Sequence, residues 1–279
     1  METFPDGRFP FGSSSTGRDP RRPAGPARAL VLGVYPSALH VRWTLPASRP
    51  DGLPAVVGAL AVDDEPTVFW DGADEEERVE AWRVQRGFRS GDGPLDHGFV
   101  VPAGNGTSGR PVTDRVLAPL GILPTEVWFT DSINRYFVKF GGAASRQQGD
   151  VIRQVYDRFA ASREGLSPAD LPTRPSPDQL VAAAVQDHRD RLRSELLDSS
   201  TPLVITLGEE ARRVLAAVVD RAEGPAVTPL TRGSAAEQCY GQWSEVVVGG
   251  STMQWVALVH PGNRSDYWRG LHDRWVTAR

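Results

Sequence analysis

Residues 29–40 read "ALVLGVYPSALH", an apolar run that ends abruptly in glycine, an aromatic residue and proline. A strand buried on both faces carries continuous apolar residues rather than alternating ones, so Ala29–Val34 is predicted to be a central strand of a parallel sheet. Ligands of open α/β sheets gather at the carboxyl ends of such strands. Gly33-Val34-Tyr35-Pro36-Ser37 is therefore either a plain corner or a ligand-presenting turn, and the rest of the chain has to decide.

Three further runs share the unbroken apolar pattern: Glu126–Thr130, Leu203–Leu207 and Trp255–Val259. Val56–Val62 reads as an edge strand or hairpin. Helical spacing covers Val112–Leu120, Asp178–Leu197, Glu209–Val219 and Asp266–Val276. The second of these is announced by Ser176-Pro177-Asp178-Gln179, in which Ser176 caps, Pro177 suits the first turn and Gln179 completes a capping box. "DGADEEERVE" (71–80) reads as a helix start with carboxylates at its positive end. Alternation of strands and helices predicts a three-layer α/β/α domain with a mostly parallel central sheet over residues 28–279. Residues 1–27, rich in Gly, Pro and Arg, are expected to form a flexible arm.

The 279 residues carry a formal net charge of −4, which argues against a protein that coats nucleic acid by bulk attraction and leaves room for a local basic patch. Of the basic residues only Lys139 is lysine. Cys239 is the one cysteine, which excludes an internal disulfide framework and a cysteine-ligated iron–sulfur cluster within one chain. His40, His97, His188, His260 and His272 show no zinc-type spacing. No apolar stretch reaches membrane-spanning length, and the leading residues lack the apolar core of a signal peptide. The expectation is a cytoplasmic protein with no membrane association, no cofactor and no obligate protein partner.

The segments at the strand ends, taken in order, resemble the uracil-DNA glycosylase superfamily over residues 29–276. Gly33 to Ser37 matches a first-strand G-x-x-P loop. Gly106-Thr107-Ser108-Gly109 through Leu117 and Gly121 matches a Gly-rich loop and helix. Thr130-Asp131 stands where a "TN" pair is expected, Leu207-Gly208-Glu209-Glu210-Ala211 matches an LG-x-x-A turn, and His260-Pro261-Gly262 matches a terminal His-Pro motif.

The resemblance implies a base glycosylase that flips a nucleotide, most naturally of DNA, into a pocket and hydrolyses its N-glycosidic bond. His260 would stabilise the departing base, the bland reading being a histidine in a turn before Pro261. Asp131 would read the base edge. An ionised carboxylate only accepts hydrogen bonds, which favours an amino-bearing or modified base over uracil; a structural pairing of Asp131 with an arginine is the alternative. Tyr35, Phe69, Asn105 and Asn134 are candidates to bind the base. Ser37, Gly106, Ser108, Asn263 and Arg264 are candidates to contact DNA, although tight turns and helix capping by Ser265 or Asp266 also explain residues of that kind.

The chain departs from the family in its first motif, where Val34 and Tyr35 replace the acid or amide that positions water. "AVDDEPTVFWDG" (61–72) offers Asp63, Asp64, Glu65 and Asp71 in its place, with Asp63 as the candidate. A solvated acidic turn is the other reading of that segment. Two rival functions stand beside the leading one: a non-catalytic nucleic-acid or nucleotide-binding protein, and an N-glycosidase of free nucleosides or nucleotides.

Overall fold

The computed structural model describes Phe4 and residues 6–88, 97–141, 147–263 and 265–279. Its strands are β1 (Gly7–Arg8), β2 (Ser14–Ser15), β3 (Ala29–Gly33), β4 (Ala38–Thr44), β5 (Val56–Asp64), β6 (Phe99–Pro102), β7 (Val127–Asp131), β8 (Leu203–Leu207), β9 (Arg221–Glu223), β10 (Ser244–Val248) and β11 (Ser251–Leu258). The main sheet has the order β7-β3-β8-β11-β10-β9. Its first four strands are mutually parallel, and β10 and β9 extend it antiparallel.

Every residue of β3, β7 and β8 is buried, the physical counterpart of their unbroken apolar sequences. Alternate side chains enter two separate cores. Leu30, Leu32 and Val204 pack with Leu180, Leu196 and Val214 on one face; Val31, Ile205 and Leu258 pack with Val116, Leu117 and Leu271 on the other. Helices therefore cover both faces of the mostly parallel sheet.

Two local expectations are refined and a third holds. The region around 112–120 is helical but irregular, with an α-turn at Gly109–Val112, a π-helical turn at Thr113–Leu117 and a 3₁₀ turn at Ala118–Leu120. The helix expected over 178–197 is two helices, Pro177–Asp187 and Arg189–Ser199, divided at His188. No Gly or Pro announces that break; it lets Leu180 and Leu196 reach the same core from two directions. The capping box is formed, with Ser176 and Gln179 bonded reciprocally.

Val56–Val62 belongs to β5, an edge strand of a separate antiparallel sheet of order β5-β4-β6. The chain leaves β3 at Gly33 and enters this second sheet at Ala38, so "GVYPS" is the bridge between the two sheets.

The flexible arm requires correction. Residues 6–27 lie against the domain: β1 and β2 form a small hairpin, Phe9 is 0% exposed, and Phe11 packs edge-on against Trp43, Trp82, Phe88 and Tyr156. Arg21 exchanges both backbone hydrogen bonds with Phe129 at the free edge of β7 and stacks its guanidinium 4.0 Å from that ring. The aromatic partners of this segment come from distant positions, which composition along the chain does not disclose.

Candidate active site

The parallel strands run second-first-third-fourth across the sheet. The connection from β3 leads to one side and that from β8 to the other, so the switch in strand order falls between their carboxyl ends. A cavity of about 400 Å³ opens there. Tyr35 and Ser37 reach it from the bridge, Asp131 from the end of β7, Gly208 and Glu210 from the turn after β8, and His260 from the turn after β11.

His260 accepts the backbone N–H of Gly262 on Nδ1 at 3.0 Å, which leaves Nε2 as the N–H donor. Burial, helped by the positive charge of Lys139, pushes its pKa below the usual histidine value, so the neutral donor is the resting form. The ring lies nearly parallel to that of Phe69, with centroids 6.5 Å apart. Phe69 adopts a left-handed backbone (φ 54°) and lies so close over Gly33 that a Cβ there would meet its Cζ at 2.7 Å and Asp131 Oδ1 at 2.1 Å. Gly33 thus lets an aromatic ring and a carboxyl group converge on the cavity floor.

Asp131 is 4% exposed. Arg191 does not pair with its carboxylate: the guanidinium donates to the Asp131 and Ser132 carbonyls, Thr130 Oγ1 and Glu195. Burial first, and then the neighbouring Glu65, hold the Asp131 carboxyl well above the usual carboxylate range. These surroundings disfavour the ionised form of Asp131. A neutral carboxyl has one donor and one acceptor. That pair of groups matches an amino-bearing edge (ring nitrogen plus amino group) and equally an imide edge such as that of uracil (N3–H plus carbonyl).

The acid of the 61–72 segment that reaches the cavity is Glu65, and Asp63 is corrected. Antiparallel pairing of Ala38 with Asp64 sets Glu65 beside Ser37, whose N–H donates to Glu65 Oε1 at 3.1 Å. Asp63 instead bonds the Asp64 N–H and the Ser13 side chain under the leading segment. Asp64 pairs with Arg18 at 2.7 Å, and Asp71 is exposed and caps the Ala73 N–H. Sequence position alone did not separate these four acids; the strand register does.

Other expectations are also revised. Asn105 clamps the backbone of His40, accepting its N–H at 2.8 Å and donating to its carbonyl at 3.0 Å, so its amide is engaged within the fold. Asn134 lies against Gly17 of the leading segment and is not part of the cavity wall. Ser37 lines the cavity, but its N–H is held by Glu65 rather than offered to phosphate. Tyr35 does line the cavity, edge-on to Phe137. His40 is a cavity residue that the sequence reading did not select; burial pushes it down to about 4.

A second recess of about 600 Å³ adjoins the first and shares Ser108 and His260 with it. Gly106, Asn263, Arg110, Arg115 and Arg269 line this groove. A Cβ at Gly106 (φ 69°) would meet the Asp71 carbonyl at 2.0 Å, so this glycine is required by close backbone approach. Asn263 Oδ1 accepts the Ser265 N–H at 3.0 Å and organises the entry to the last helix, Asp266–Thr277. Arg264 lies outside the described residues. Among the described residues no three His, Cys, Asp or Glu side chains are grouped to hold a metal ion, and no helix is long and apolar enough to cross a membrane.

No protein-family model matches the chain, and a search of curated proteins finds no match to it.

Proposed function

We propose that this chain is a divergent base glycosylase: it hydrolyses the N-glycosidic bond of a base flipped from nucleic acid. The observation that carries this reading is the meeting of two recesses at His260. A cavity with a buried carboxyl group on its floor opens into a groove lined by Arg110, Arg115 and Arg269. Guanidinium groups along a groove suit phosphates, which position a polymer without reading its sequence. A free nucleoside needs no such groove.

Bond cleavage leaves negative charge on the departing base, and a neutral His260 Nε2–H donates to it where that charge develops. The Asp131 carboxyl, in its neutral form, donates one hydrogen bond and accepts one at the base edge, which fits a ring nitrogen with its amino group or the carbonyl and N3–H of uracil. Phe69 and Tyr35 supply aromatic walls for the flipped base.

The test is a panel of oligonucleotides carrying uracil, cytosine, adenine and modified bases, analysed for free base and abasic sites. His260→Ala is expected to lower base release by roughly 10²–10³-fold. Unaltered release by this variant refutes the role of His260, and the ranking of the panel identifies the base edge that Asp131 reads.

A further inference from the structure

We propose that Glu65 is the catalytic base that activates the attacking water, an assignment that rests on the hydrolytic reading above. The first-motif positions hold Val34, which has no basic group, and Tyr35, a poor base at neutral pH. Hydrolysis still needs a group to take a proton from water. Glu65 arrives in the same cavity from another element, the end of β5, and faces both Asp131 and the bridge after β3.

The placement is held by structure rather than by chance exposure. Glu65 is 3% exposed, and the backbone N–H groups of Ser37 and Phe69 both donate to its carboxylate. These donors orient the group and leave acceptor capacity for a water. The remaining acids are committed elsewhere: Asp64 to Arg18, Asp63 to Ser13, and Glu210 to Arg174 at 2.6 Å. Asp131, kept neutral, is a poor proton acceptor and is left to read the base.

The charges facing Glu65 come from two sides. Arg18 and Arg21 of the leading segment favour its ionised form, and on the other side Glu65 itself pushes the neighbouring Asp131 carboxyl up. Burial outweighs the arginines and pushes the carboxyl up to about 7, a value suited to general base catalysis at neutral pH. In the step, Glu65 removes a proton from water as the water oxygen bonds to the sugar C1′. The C1′–N bond breaks, its electron pair leaves on the base beside His260, and the proton held by Glu65 passes through solvent to the released base. One water is consumed and no oxidant or reductant is required.

The experiment measures single-turnover base release by wild type, Glu65→Gln and Asp63→Asn on the same oligonucleotide panel across pH, with thermal melts to verify folding. Glu65→Gln keeps an acceptor for the two N–H donors and is expected to lose roughly 10²–10⁴-fold in rate. Wild-type rate should rise about tenfold per pH unit below neutrality and level off above it, and the variant should lose that limb. Asp63→Asn should retain wild-type release. Active wild type with a fully active, folded Glu65→Gln variant overturns the assignment alone. Absence of base release from every substrate by wild type overturns both this assignment and the glycosylase reading.

Discussion

Replacing Glu65 by Gln should make the protein more stable, and only at higher pH. In the folded chain burial raises the carboxyl from 4.5 to about 7. Between these values the native state holds a proton that the unfolded chain has already released. Stability contributed by this group is therefore full below about pH 4.5 and falls as pH rises through 7. The gap corresponds to about 3 kcal/mol once the carboxylate is fully ionised. Glutamine cannot ionise, so the variant avoids that cost. Its removal also frees Asp131 of a neighbouring charge, an effect of the same sign. His40 acts oppositely: held at about 4 against an ordinary 6.5, it makes stability fall as pH drops over an overlapping range. The wild-type profile sums these opposed shifts with those of other buried groups, Asp131 among them, so it is the difference between variant and wild type that reports on Glu65. Urea unfolding followed by tryptophan fluorescence at about pH 5 and about pH 8 supplies that difference, which should grow by about 3 kcal/mol in favour of the variant. A difference that stays constant with pH refutes the buried, proton-holding Glu65.

Two further substitutions test the placement of residues around the site. Phe9→Ala, in the leading segment, removes a ring that is 0% exposed and stacked on Tyr136 at 5.5 Å, and should cost about 3–5 kcal/mol in chemical denaturation; an unchanged midpoint would restore the picture of a free arm. Asn105→Ala strips both partners from the His40 backbone and should cost about 2–4 kcal/mol, with a loss below about 0.5 kcal/mol arguing against the clamp.

Much of the framework was legible along the chain because its cause is local. A strand buried on both faces must be apolar throughout, so β3, β7 and β8 are recognisable within one residue of their ends. The capping box at Ser176 and Gln179 involves neighbours three positions apart, and it forms as spelled. The strand ends are legible from the apolar runs that precede them, and Tyr35, Asp131 and His260, which the family resemblance put at three of those ends, do line one cavity.

What escaped depends on partners far apart in sequence. Phe9 and Phe11 read as parts of a polar arm until Trp43, Trp82, Tyr136 and Tyr156 are brought to them. Asn105 looks like a free pocket amide until the backbone of His40, 65 residues away, occupies it. The four acids at 63, 64, 65 and 71 are equivalent as letters. Side chains alternate along a strand, and the pairing of Ala38 with Asp64 where β4 begins and β5 ends sends Asp64 toward Arg18 and sets Glu65 against Ser37. The same assembly buries Asp131 beside Glu65 and pushes its carboxyl well above the usual carboxylate range. Sequence alone determined that "GVYPS" ends a buried strand at the carboxyl edge of the sheet. Only the tertiary structure decided that it crosses to a second sheet and meets Glu65, because strand pairing and burial are properties of the assembled chain.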